Sequence, residues 1–115
     1  MLVISHACLP SSHHDGCICQ TVAGPALGVS SIDARVWTVP ASATMPASVD
    51  ARPRVVLVLA GSGKQRLAGA PQSFHAPCTL IVPALAEHEV VNTGALPLHL
   101  VVIAAHADTE EAPAA

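Results

Sequence analysis

Residues 77–94 read PCTLIVPALAEHEVVNTG: two short apolar runs, CTLIV and HEVVN, joined by a proline-led connection. Neither run has the length of a helix, and both end at turn-forming residues, Pro83 after the first and Asn92 to Gly94 after the second. Short β-branched segments bounded in this way are strands. One histidine, His88, stands at the start of the second strand between Glu87 and Glu89. Alternation along a strand sends both glutamates to the face opposite the histidine, where they are expected as solvated charges.

Outward from this pair the same grammar repeats. RVVLVLAG (54–61) is apolar on both faces and reads as an interior strand. GSG turns the chain, and KQRLAGAPQ (64–72) is a short polar strand with another turn. SIDARVWTV (31–39) alternates, with Ile32, Ala34, Val36 and Thr38 on one side and Asp33, Arg35 and Trp37 on the other, as a half-buried strand does. PASATMPASVDARP (40–53) reads as a proline-rich connection, residues 1–28 as an irregular N-terminal segment, and LHLVVIAA (98–105) as the last long strand. Residues 106–115 form an acidic, alanine-rich tail expected to be flexible. The expectation is one all-β domain over residues 1–115, an antiparallel β-barrel or jelly roll of about six strands.

Composition narrows the function classes. In 115 residues, charged side chains make up only 11% and the net charge is −3, which disfavours a nucleic-acid binder. Trp37 and Phe74 are the only large aromatics, so a row of stacking platforms is lacking. No apolar run is long enough to span a bilayer, so no membrane partner is expected. The opening MLVISHACLP lacks the basic and long apolar parts of a secretion signal, so a cytoplasmic protein with reduced Cys8, Cys17, Cys19 and Cys78 is expected. VVLVLAGSGK imitates a phosphate-binding loop, but Val58 and Gln65 occupy the positions that need Gly and Ser or Thr.

The segments RVVLVLAG and PCTLIVPALAEHEVVNTG together resemble the cupin family of small antiparallel barrels. That family's second motif, G-x5-P-x-G-x2-H-x3-N, falls on Pro83, His88 and Asn92, with Pro77 and Leu85 where the glycines stand. Its first motif, G-x5-H-x-H-x3-4-E-x6-G, ends on Gly61, with Arg54 in the glutamate position. The paired histidines of that motif fall on Ser48 and Asp50, or on Ala47 and Val49. The resemblance therefore implies the fold, an inward His88 and Arg54, and a homodimer, to which the apolar faces of VVLVL and LHLVVIA also point.

It also implies a broken metal site. Three imidazoles and a carboxylate suit a first-row metal, whereas here His88 keeps its place and Arg54 reverses the charge. No metal or other cofactor is expected. An inward guanidinium needs a counter-charge, and two are open: Asp50, four residues earlier, or the carboxylate or phosphate of a ligand. His88 is either a structural hydrogen-bonding residue or a general acid or base titrating near neutral pH. Asn92 is either part of the ligand site or the residue that orders the turn before Gly94.

Three functions follow. The first is a metal-independent enzyme on a small organic acid or other anionic metabolite: an isomerase, dehydratase or decarboxylase with His88 as catalyst and Arg54, Asp50 and Asn92 binding substrate. The second is a non-catalytic ligand-binding cupin. The third is a metal-dependent cupin whose site is rebuilt from His75, Cys78, Asp50 and His88. The group His6, Cys8, His13, His14, Cys17 and Cys19 is a further metal candidate. Against it, its spacing matches no zinc knuckle, and Cys17 and Cys19 are expected as small hydrophobes with thiols on opposite faces.

Overall fold

The computed structural model describes residues 3–105, so the tail expectation for 106–115 lies outside the described residues. Ten strands follow in chain order: β1 (Ser12–His14), β2 (Cys17–Ala23), β3 (Ile32–Val39), β4 (Thr44–Ser48), β5 (Arg54–Ala60), β6 (Ser62–Leu67), β7 (Ala70–His75), β8 (Cys78–Val82), β9 (His88–Asn92) and β10 (Leu98–Ala105). Two short 3-10 turns, His6–Cys8 and Pro25–Leu27, are the helical elements among the described residues. Six strands form one sheet in the order β1-β2-β3-β10-β5-β8, and four form the other in the order β4-β9-β6-β7. Every pairing is antiparallel.

The core lies between the two inner faces. Val56 and Val58 of β5, Leu98 and Leu100 of β10, Val39 of β3, Leu80 and Val82 of β8 and Val90 of β9 are all buried there. Strand alternation selects them: β5 and β9 bury every second residue, Arg54, Val56 and Val58 on one and His88, Val90 and Asn92 on the other. The interior reading of β5 holds, since it pairs with β10 on one side and β8 on the other, and β10 is interior as well, between β3 and β5.

Three sequence expectations need correction. The N-terminal segment is not irregular throughout: β1 and β2 form a tight hairpin, with His14 opposite Cys17. Its turn is Asp15–Gly16, both with positive φ (51° and 86°), the left-handed pair that an Asp-Gly loop favours. Cys17 and Cys19 do not diverge either, because residues two apart in a strand share a face, and both are buried. The proline-rich connection also contains the edge strand β4, whose pairing with β9 shifts register between Met45 and Ser48. Pro46, which has no N–H to donate, sits within that break.

Gly61, which ends the first-motif segment, has φ +99°, and a Cβ there would lie 3.0 Å from the Leu98 Cα and from the Pro97 carbonyl oxygen. Both neighbours are backbone and cannot swing aside. Gly61→Ala is therefore expected to lower unfolding stability by about 2 kcal/mol or more, through backbone strain and crowding together. Urea denaturation of the two proteins checks this; an unchanged midpoint would show that the β5–β6 corner is looser than described.

Candidate functional site

At one end of the barrel, a cavity of about 460 Å³ opens between the six-stranded sheet and the segment from Met45 to Arg52. That volume lies within the range of about 300–1,000 Å³ usual for small-molecule sites. Register explains which side chains meet there. Arg54 is paired with Ala104, Ala104 with Asp33, Val102 with Arg35, and Leu100 with Trp37. The polar side of β3 thus shares the inner face with Val102 and Ala104, and Asp33, Arg35 and Trp37 line the cavity. The apolar set of β3 faces outward, with Ile32 44% exposed. His14, on the β1–β2 hairpin, lies against Trp37 with ring centroids 5.6 Å apart.

Arg54 is the deepest charge in this wall, 6% exposed. Its Nη1 donates to the Ser48 hydroxyl at 2.7 Å, and its Nη2 reaches the Ala86 carbonyl at 3.5 Å. Among the described residues its Nε has no hydrogen-bond partner. Asp50 does not serve as its counter-charge. The Asp50 carboxylate instead accepts from the Arg52 backbone N–H at 3.0 Å and stands 3.6 Å from the Arg52 guanidinium. The reason is local geometry: an Asp side chain closes readily on the backbone two residues ahead, and the loop turns Arg52 towards it. The Asp50 carbonyl is taken as well, accepting from Leu85 N–H at 2.7 Å. Leu85, where the motif has glycine, adopts φ +64°. Its loop thereby joins the start of β5 to the start of β9.

His88 faces the interior, 1% exposed, but it does not line the cavity. Its Nε2 is 2.9 Å from the Gln65 side-chain oxygen, and Gln65 in turn donates to the Gln72 side-chain oxygen at 3.2 Å. Burial, and then the positive charge of Arg54, push its pKa down to about 4. The near-neutral titration expected of a general acid or base is therefore absent: at neutral pH this imidazole is uncharged. Asn92 is also committed elsewhere. Its amide nitrogen donates to the Val39 and Leu96 carbonyls, both at 2.9 Å, and its oxygen accepts from Gly94 N–H at 2.8 Å. It ties β9, β3 and the following turn together, and no polar atom of it is left for a ligand.

The residues do not fit a conventional metal. Among the described residues no group of three or more His, Cys, Asp or Glu side chains gathers. His75 is exposed on β7 opposite Ser62, and Cys78 lies on β8 opposite Val58, so the rebuilt set with Asp50 and His88 is not assembled. The field of Arg54 that resists a proton on His88 would resist a cation there too. The N-terminal candidates are dispersed as well: Cys8 is exposed, whereas Cys17 and Cys19 are buried thiols that burial holds in the protonated form.

Sequence comparison finds no protein family and no curated protein that matches the chain. Solved structures do match. The polyketide cyclase RemF from Streptomyces resistomycificus superposes with a TM-score of 0.77 at 14% identity, covering 91% of this chain and 79% of its own. The cupin domain of Schizosaccharomyces pombe Cnp3 gives 0.78 at 16% identity, covering 96% and 77%. An RmlC-like cupin from Shewanella frigidimarina gives 0.76 at 15%, covering 94% and 92%.

One prediction follows from the histidine. The native state refuses a proton on His88 until about pH 4, whereas the unfolded chain takes one up near 6.5. Folding stability contributed by the neutral imidazole is thus complete above about pH 6.5 and is lost as pH falls towards 4, by on the order of 3 kcal/mol at most. In His88→Gln that slope is expected to flatten. Denaturant unfolding of both proteins between pH 7 and 4.5 measures it, and parallel curves would show that His88 titrates normally.

Proposed function

From the cupin fold as premise, we propose that this protein binds a small organic anion, a carboxylate in the first place, with Arg54 as its anchor. The observation that carries the reading is the state of that guanidinium. It is nine-tenths buried at the edge of a ligand-sized cavity, no carboxylate of the described residues pairs with it, and one donor is unsatisfied. A buried charge in this condition is costly, and an entering carboxylate supplies the counter-charge that the guanidinium lacks. Apolar walls from Met45, Val102 and Ala104 lower the local dielectric and strengthen that contact. The reading is of a binding protein rather than an enzyme. Catalysis by His88 would need a titratable imidazole in reach of the ligand, and His88 is neutral and lies outside the cavity lining.

The proposal extends to a second copy of the chain. The outward positions of β3, β10, β5 and β8 hold no Asp, Glu, Lys or Arg, while Ile32, Val55, Leu59 and Ile81 are 37–61% exposed. Four adjacent strands about 4.8 Å apart carry this surface. An uncharged apolar face of that breadth is the kind that a homodimer covers.

Two outcomes are expected. Simple monocarboxylates raise the thermal midpoint of the protein, Arg54→Lys weakens the effect and Arg54→Met removes it, since a point charge cannot reproduce the guanidinium fork. Equal stabilisation of Arg54→Met, or none of the unaltered protein, would end the anchor reading. Light scattering at micromolar concentration is expected to report a dimer and to report a monomer for Leu59→Lys combined with Ile81→Lys; a monomeric parent protein refutes the second copy.

A further inference from the structure

We infer that the anion is a monocarboxylate on an aromatic ring system, not an aliphatic di-acid or a phosphate. The inference rests on the anchor reading of Arg54 and adds the rest of the cavity to it.

Charge counting gives the first half. The described lining residues include Asp33 and Arg35, paired at 3.4 Å, and Asp50 and Arg52, paired at 3.6 Å. Each pair is neutral as a unit. Arg54 is the remaining charge among the described lining residues, which together carry one net positive charge, and one negative charge on the ligand balances it. A dianion would bring a second charge into a wall whose other cations already have carboxylates beside them. Displacing those carboxylates would leave them unpaired in a partly desolvated space.

Aromatic surface gives the second half. The chain has one tryptophan, no tyrosine and one phenylalanine. The tryptophan, Trp37, lines the cavity, and His14 lines it too, its ring tilted 47° to the indole. Met45 lines the cavity from β4 of the other sheet, while Val102 and Ala104 lie beside Trp37 on the same inner face. Trp37 owes this place to register: it pairs with Leu100, on the same inner face that carries Arg54 two rows away. A cavity with an indole on one sheet, a thioether on the other and one cation that has no carboxylate of the described residues beside it suits a flat ring bearing one carboxylate. Aromatic rings gain from both indole and sulfur contacts.

Isothermal titration calorimetry with benzoate, 1-naphthoate, butyrate, succinate and inorganic phosphate tests the inference, with circular dichroism of each variant confirming that it folds. Expected is binding in the order naphthoate, benzoate, butyrate, with succinate and phosphate weakest. Trp37→Leu is expected to weaken naphthoate about tenfold and to leave butyrate within a factor of about two, while Trp37→Phe restores most of the naphthoate affinity. Arg54→Met abolishes all of it. If butyrate or succinate binds as tightly as naphthoate, or Trp37→Leu changes nothing, the aromatic inference is overturned while the anchor reading stands. If no carboxylate binds, or Arg54→Met binds them unchanged, the anchor reading falls and the inference with it.

Discussion

A guanidinium held in an apolar barrel without a carboxylate of the described residues beside it is the constraint on which this end of the molecule depends. Arg54 is fixed at the start of β5, between Val82 of β8 and Ala104 of β10 in the sheet. Its position leaves the chain few ways to satisfy it. The Ser48 hydroxyl is brought within 2.7 Å by the register break in β4, and the Ala86 carbonyl comes from the loop before β9. That loop is itself held by the Leu85 N–H bond to the Asp50 carbonyl. Two neutral acceptors orient the charge; neither cancels it. Burial first, and then the positive field that remains, keep the His88 imidazole neutral. Cavity and loop therefore answer to one side chain, and the histidine answers to it in part.

Where a metal-binding barrel of this resemblance sets imidazoles around a cation, this chain sets up an amide ladder. His88 meets Gln65, and Gln65 meets Gln72, across β9, β6 and β7. Gln65 is itself buried, and each member of the ladder is satisfied by a neutral neighbour. Such a network suits a field that excludes added positive charge, since amides and a neutral imidazole hydrogen-bond without ionising. The ladder accounts for the burial of this histidine.

Much of this was legible in the sequence, and what was not has definable causes. Gly61, His88 and Arg54 could be located because their meaning is tied to fixed motif spacing, and the apolar runs of β5 and β10 marked two of the core strands. Asn92 was legible only in part, as a turn-ordering residue. Its contacts with Val39 and Leu96 depend on pairing across distant segments. Asp50 lies two residues from Arg52 and four from Arg54 along the chain, and only the path of the loop decided between them. The β1–β2 hairpin did carry a readable signal, the Asp15–Gly16 pair, which the surrounding histidines and cysteines obscured. β4 carried none, since an edge strand interrupted by proline looks like a connection.

The reading of β3 is the most instructive case, because there the usual rule inverts. Its apolar set, Ile32, Ala34 and Val36, looks like the core face, and its polar set, Asp33 and Arg35, looks like the solvent face. The structure assigns them the other way: the polar set lines the cavity and the apolar set lies on the outside. A one-residue slip of β3 against β10 would exchange the two sets and put Ile32 and Val36 into the cavity. Val39 forbids that slip, since it is fully buried opposite Leu98 and would be turned outward by it. The cavity's charges and the uncharged outer face are thus two consequences of one register, fixed at the end of β3 where the ordinary core begins.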